Sequence, residues 1–428
     1  MKNNVVSVFL WGKEICRLEW RGGYKQGFGK LGAVVTFSPN YAEDPWDLDP
    51  LGPYNKGMFW VRQGLSDWCR ATEYEGIPRF ISSSLPDDWG NAVFAAWVAE
   101  NGLRHRDITA VDKLSFIGKR GMGALEFVPA AYQASGKDAL VLEQLYEVAK
   151  AIQQERENYL VNLNTHPGIG ELMTVGMSAG GMHPKAFIAI NWDTGEVKSG
   201  QVDLPDGFVH YILKFKDSAT WPGAEIEYAY YLMAVKCGID MMPCRLLEIH
   251  GDKHFLTERF DRKGGEKIHA ATLNSLCGPT HTYEEIFAAA RRLGVPHADL
   301  VQLFRRAVFN YMAGVCDDHD KNFSFTMDRN GRWHLSPAYD LTFTVNLKNP
   351  FIGDRHAMSL MGKERNITEK DFIRLAEIND IRAPRTIINC VADALQAFDA
   401  FAREATVPEQ MIEVILNFLP IDSILSAR

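Results

Sequence analysis

In the stretch Cys316-Asp317-Asp318-His319-Asp320-Lys321-Asn322-Phe323-Ser324-Phe325, an aspartate stands five residues before an asparagine. A further aspartate, Asp340, follows that asparagine by eighteen residues. One carboxylate could receive a hydroxyl proton, while the amide oxygen of Asn322 and the Asp340 carboxylate could hold a divalent metal against phosphates. That is the equipment of phosphoryl transfer. The Asp317–Asn322 interval equals the D-x-x-x-x-N of a kinase catalytic loop. The His-Arg that usually precedes such an aspartate is absent, as is a Phe-Gly after Asp340, so an ordinary eukaryotic-type kinase is not implied. Asp318 and Asp320 lie at the wrong distance from Asn322 and fall to supporting or solvated roles. A Ca²⁺ loop is excluded, since the Gly and the terminal Glu of an EF-hand are both missing.

Three upstream segments could complete such a site. In Val175–Ala186, small residues at Ala179-Gly180-Gly181 would let backbone N–H groups approach phosphate oxygens, and Lys185 could add a positive charge. The spacing is not that of a Walker A loop, and a Gly-Gly pair alone reads as a plain turn. Lys214 sits in the apolar strand Tyr211-Ile212-Leu213-Lys214-Phe215, where an ammonium needs a partner unless it lies on an edge facing water. Glu225 and Glu227 open the next predicted helix, and Glu227 is the preferred partner. Thr257–Arg262 forms a strand end between lobes that could offer backbone groups and an apolar face to a nucleobase, or be a charged surface strand.

The elements that must position these residues follow from periodicity. Short β-like runs at Val5–Leu10 and Ala33–Phe37 precede a turn-rich stretch at Ser38–Tyr54 and a helix at Trp89–Asn101. Leu114–Phe127 reads as loop and strand, and Asp138–Asn158 as a helix. A hairpin is expected where Ala186–Asn191 meets Asp193-Thr194-Gly195. Strands at His210–Lys216 and His254–Phe260 flank a helix at Ile226–Cys237 that ends at Gly238. Helices are then expected at Tyr283–Leu293, Ala298–Gly314, Glu369–Leu375, Pro384–Ala402 and Pro408–Phe418, with Pro384 and Pro408 at first helical positions. The fold class is therefore α+β, with two kinase-like lobes. An N-terminal subdomain (1–130) precedes a β-rich lobe (131–262) and an all-helical lobe (263–428) that carries the catalytic loop.

Composition agrees with a globular chain. It has 428 residues, 46% hydrophobic and 23% charged, with no apolar run of membrane-spanning length. Seven cysteines without a C-x-x-C pair argue for free thiols in a reducing cytoplasm and against a zinc site. The net charge of −8 offers no general attraction to nucleic acid.

These segments, in this order, resemble the HipA family of bacterial serine/threonine kinases, the toxins of type II toxin–antitoxin pairs. The matching residues are Ser178-x-x-Gly181-x-x-x-Lys185, Lys214, Glu258-Arg259-Phe260-Asp261-Arg262, Asp317-x-His319-x-Lys321-Asn322-Phe323-Ser324 and the Tyr339-Asp340 pair. Leu114–Gly118 and Gly121–Phe127 resemble the family's N-terminal subdomain. The resemblance implies that Asp317 is the catalytic base, that Asn322 and Asp340 hold Mg²⁺, and that Tyr339 lies beside ATP. It implies that Lys214 meets the phosphates, that Glu258 and Phe260 form the adenine hinge, and that Arg259, His319, Asp320 and Lys321 lie in the nucleotide or catalytic pocket. Gly180, Gly181, Met182, His183, Pro184 and Lys185 would form the phosphate-side loop, with Ser178 as the autophosphorylated serine. His183-Pro184 departs from the best-known members, and Pro184 stiffens the loop. The implied partners are a HipB-like helix-turn-helix antitoxin, through which alone DNA would be reached, and a protein substrate such as an aminoacyl-tRNA synthetase. A small-molecule kinase and a non-catalytic nucleotide-binding corepressor are the other readings.

Overall fold

Alternation along Val5-Val6-Ser7-Val8-Phe9-Leu10 buries Val6, Val8 and Leu10 on one face, as a half-covered strand requires. The computed structural model describes residues 4–21, 31–70, 74–100, 108–131, 140–157, 183–200, 204–348, 353–419 and 424. In it this strand, β1 (Val5–Leu10), joins β2 (Lys13–Trp20), β3 (Leu31–Phe37), β4 (Ser66–Arg70) and β5 (Leu125–Val128). They form an antiparallel sheet in the order β4-β3-β2-β1-β5.

A second antiparallel sheet holds β6 (Lys185–Asn191), β7 (Glu196–Ser199), β8 (Val209–Lys214), β9 (Cys244–Ile249) and β10 (Asp252–Glu258), in the order β7-β6-β8-β10-β9. The expected β6–β7 hairpin turns at Gly195, whose φ of 73° suits a residue without Cβ. The register sets Lys185 opposite Lys214, so both side chains leave the same face. The Gly223–Lys236 helix packs against β9 and β10 and carries Glu227 inward.

Beyond a short hairpin of β11 (Arg262–Lys263) and β12 (Glu266–Lys267), the chain becomes mostly helical. The helical lobe is not all helix. It includes a three-stranded sheet of β13 (His269–Thr272), β14 (Ser324–Met327) and β15 (Trp333–Leu335). The Asp317–Asn322 segment runs straight into β14, and pairing with β13 satisfies backbone groups that a lone loop would leave bare. Tyr283–Leu293 begins with a Thr282/Glu285 capping box and ends at left-handed Gly294. His297–Ala313 ends at Gly314 (φ 67°), where an added Cβ would come within 2.9 Å of Val345.

Three local expectations change. Leu114 belongs to a helix, Ala110–Ile117, because Thr109 and Asp112 form a capping box ahead of it. The helix expected over Pro384–Ala402 divides into Pro384–Gln396 and Phe398–Glu404. Pro408 is an N-cap rather than a first helical residue. One hydrophobic core runs through all three regions. The architecture is a two-lobe kinase-like α+β fold. All seven cysteines are free, and among the described residues no helix is long and apolar enough to cross a membrane.

Candidate active site

A cavity of about 320 Å³ opens where the second sheet, the helical lobe and the N-terminal sheet region meet. At its polar end β8 delivers Lys214. Its ammonium donates to Glu227 Oε1 at 2.6 Å and to Asp340 Oδ1, which answers the cost of burying a cation. Burial opposes the charged ammonium, but Asp340 and Glu227 outweigh it and hold Lys214 above its ordinary value. Burial likewise pushes Asp340 up, yet Lys214 and then Lys185 prevail and keep that carboxyl below the usual range. Glu227 goes the other way: desolvation, with Asp340 adding like charge, raises its carboxyl against the pull of Lys214. Asp340 takes a left-handed backbone conformation (φ 54°), uncommon for a residue with Cβ and concentrated at functional sites.

The Asp317–Asn322 loop is held from beneath. Asp318 is 1% exposed; it accepts the Tyr283 hydroxyl at 2.7 Å and the Met358 N–H at 3.2 Å, and faces His356 Nδ1 at 3.1 Å. Asp320 accepts from Asn274 Nδ2 (2.7 Å) and from the Thr280 N–H (3.1 Å). Both therefore pin the loop from within the protein. Asp317 stays exposed, its N–H donating to Thr344 Oγ1 at 2.9 Å. Asn322 Nδ2 donates to the Asp317 carbonyl at 2.8 Å, which leaves the amide oxygen as the free end. Asn322 and Asp340 line one narrow crevice. Partial desolvation by the cleft walls raises the Asp317 carboxyl; Asp340 and Asp318 add to this, and His319 opposes it.

The apolar end has a different character. Phe260 and Tyr339 stack with centroids 5.9 Å apart, and both line the cavity with Glu258, Met241 and Ile212. The Tyr339 hydroxyl is tied to Ser324 Oγ (2.6 Å) and donates to the Lys321 carbonyl (2.8 Å). Glu258 accepts from Tyr211 Oη at 3.3 Å, which in turn receives the Trp192 indole N–H at 2.8 Å.

The sequence-expected residues are thus brought together unequally. Lys185, Lys214, Glu258, Phe260, Lys321, Tyr339 and Asp340 line the cavity. Arg259 turns away from it. The guanidinium is 2% exposed and forms a bidentate pair with Asp261 (2.9 and 2.8 Å), which also binds Arg262 at 2.7 Å and the Gly123 N–H at 2.6 Å. Arg259 thus belongs with Asp261 and Arg262 to a buried bracket to the N-terminal region, while its neighbours Glu258 and Phe260 face the cavity. His319 lies outside the cavity wall, with Nε2 3.9 Å from Asp317 Oδ1. His183 pairs with Asp217, a bond that raises its imidazole although burial works against it. The Pro184 carbonyl accepts the Phe215 N–H at 2.9 Å. Ser178, Gly180, Gly181 and Met182 lie outside the described residues. The sequence reading missed Asp87, Met122 and other N-terminal residues that wall the cavity. A cap signal was present at Asp87-Asp88-Trp89, but nothing local marked its distant contact.

The arrangement defines the class first: a kinase-like cleft between two lobes, with cations and carboxylates at one end and stacked rings at the other. Comparison with known proteins then gives the family. Residues 6–128 match the HipA N-terminal domain and residues 177–403 the HipA-like C-terminal domain, so the chain belongs to the HipA family. It is 28% identical over 204 residues to a Sinorhizobium fredii protein named "Putative kinase Y4mE", covering 42% of this chain and 47% of that one. A Haemophilus influenzae protein named "Putative kinase" is 25% identical over 209 residues, covering 44% of this chain and 59% of that one. The chain thus spans about half the length of the curated relatives it matches. Among solved structures, a chain of the Shewanella oneidensis MR-1 complex of HipA, HipB and operator DNA superposes with a TM-score of 0.65. That match covers 98% of this chain and 96% of the other at 16% identity, a likeness of fold.

Proposed function

We propose that this chain is an ATP- and Mg²⁺-dependent serine/threonine protein kinase, acting as a HipA-type toxin and phosphorylating itself at Ser178. The observation that carries the reading is the buried Lys214, shared between Glu227 and Asp340 beside the Asp317–Asn322 loop. The donor set fits the group: one carboxylate and one amide oxygen suit a small hard cation that completes its shell with phosphates and water. The stacked Phe260–Tyr339 pair and the apolar wall suit a planar base.

Bound Mg·ATP would supply the phosphoryl group and neutralise its charge. The chain's own groups do the rest. Asp317 is exposed, carries a raised carboxyl and stands ready to orient an acceptor hydroxyl and take its proton. Asn322 and Asp340 are the metal-facing oxygens, while Lys185 and Lys214 supply positive charge for phosphates. A HipB-like helix-turn-helix partner would provide the DNA contact that an acidic chain lacks, as HipB accompanies HipA in the Shewanella complex. The substrate would be a protein, such as an aminoacyl-tRNA synthetase.

Incubation with labelled ATP and Mg²⁺, followed by phosphosite mapping, tests this reading. Label on Ser178 and on a lysate protein is the expected result. Label confined to a sugar or other small molecule would replace the protein-kinase reading. No transfer, together with toxicity that survives Asp317→Asn, would favour a non-catalytic corepressor.

A further inference from the structure

Lys185 is held at two points by the N-terminal region. Its side chain is 3% exposed, with Nζ 3.4 Å from Asp87 Oδ2, and its carbonyl accepts the Trp89 indole N–H at 2.8 Å. Asp87 is itself fixed. Its Oδ1 accepts the Gly90 N–H at 2.6 Å, so the carboxylate caps the Asp88–Glu100 helix while its other oxygen faces Lys185. Trp89, fully buried, sits on the same turn. A capped helix turn thus grips the first residue of β6 by side chain and main chain together.

The grip matters because of what lies across the strand. Lys185 and Lys214 are directly paired in the β6–β8 ladder, so two ammoniums share one face at the polar end of the cavity. Lys214 is already committed to Glu227 and Asp340. After Lys214, Lys185 is the cation that acts most strongly on Asp340. Asp340 is a carboxylate of the same cavity, bound to the ammonium that stands directly across the ladder from Lys185, and it competes with Asp87 for the Lys185 charge. An ammonium held there would compete with a divalent ion for the same oxygens.

We propose that Asp87 is a positioning residue that holds Lys185 off Asp340, keeping that carboxylate available to divalent metal and making the N-terminal region part of the phosphate end of the cleft. The inference rests on the ATP–Mg²⁺ reading of the site. It assigns a role in metal use to a residue outside both lobes.

Asp87→Asn tests it, because asparagine caps a helix as well as aspartate but carries no charge. Asp87→Ser, another good cap, is the second variant should the first fail to fold. Binding of a fluorescent ATP analogue to the full chain is titrated with Mg²⁺ and also measured without metal, alongside thermal melting. The expected result is a several-fold higher Mg²⁺ midpoint, with metal-free analogue bound as tightly as before or more tightly, and an unchanged melt. In a Lys185→Met background, the Asp87 substitution should no longer move the midpoint. An unmoved midpoint in a folded variant overturns the proposal, as does an equal shift without Lys185. If the unaltered chain binds no analogue with or without Mg²⁺, the reading of the site fails and this inference falls with it.

Discussion

At the scale of single residues, neighbouring aspartates of one loop have opposite tasks. Asp317 is exposed, its hydrogen bonds to Thr344 and Asn322 are made by its main chain, and its carboxylate meets His319 only at 3.9 Å, so Asp317→Asn should leave the melting temperature nearly unmoved. Phosphoryl transfer should fall by about 10²–10⁴-fold, the usual contribution of a positioned proton acceptor. A labelled-ATP assay beside a thermal melt separates the two effects. Asp318→Asn should do the reverse first. Its carboxylate accepts two buried bonds and faces His356, so the loss should be about 1–3 kcal/mol, visible as a lowered urea midpoint. The interval from Asp317 to Asn322 and the lysine in an apolar strand were legible because local sequence carries them. The burial of Asp318 beneath its neighbour was not, since Tyr283 and His356 reach it from 35 and 38 residues away.

Elements set the accuracy of that loop. His297–Ala313 must stop where the loop begins, and Gly314 stops it in a left-handed conformation against Val345 and Phe343. Gly314→Ala combines an unfavourable φ with a Cβ contact of 2.9 Å to Val345. It should cost more than about 1 kcal/mol, read by denaturant unfolding, and should slow transfer by displacing the segment that ends in Asn322. At the other end of the cleft, Phe260→Ala removes the partner of Tyr339. The expected loss of about 0.5–1.5 kcal/mol corresponds to roughly a two- to tenfold weaker nucleotide affinity, measurable by calorimetry. Helix limits such as Tyr283–Leu293 were legible from a cap and a glycine. The β13–β15 sheet was not, because a four-residue and a three-residue strand give too short an alternation to stand out among helices.

For the whole molecule, acid stability rests on buried imidazoles. Burial lowers His254 to about 4, against the pull of Asp252, and lowers His269 to about 3, both from an ordinary value of 6.5. Between those values the unfolded chain binds more protons than the folded one. Stability is therefore complete above about pH 6.5 and falls as pH drops towards 4, each imidazole removing up to about 1.4 kcal/mol per pH unit. Asp49, pushed up to about 6 by burial, works in the opposite direction. Comparison with His269→Phe isolates one contribution: melting temperatures from pH 7 to 4.5 should decline less steeply in that variant, and parallel curves would refute the assignment. The two-lobe α+β class was legible in the sequence, but the bracket that ties the N-terminal sheet region to the end of β10 was not. Asp261 lies 138 residues from the Gly123 N–H it accepts, and Arg259 and Arg262 reach the Gly121 carbonyl across similar spans. That separation has a consequence for synthesis. At ribosomal speeds of about 5–20 residues per second, the first partners of the bracket wait on the order of ten seconds for the last to be made. A nascent chain therefore cannot lock its N-terminal region to the end of β10 until the second sheet exists, which delays assembly of the cleft until translation is well advanced.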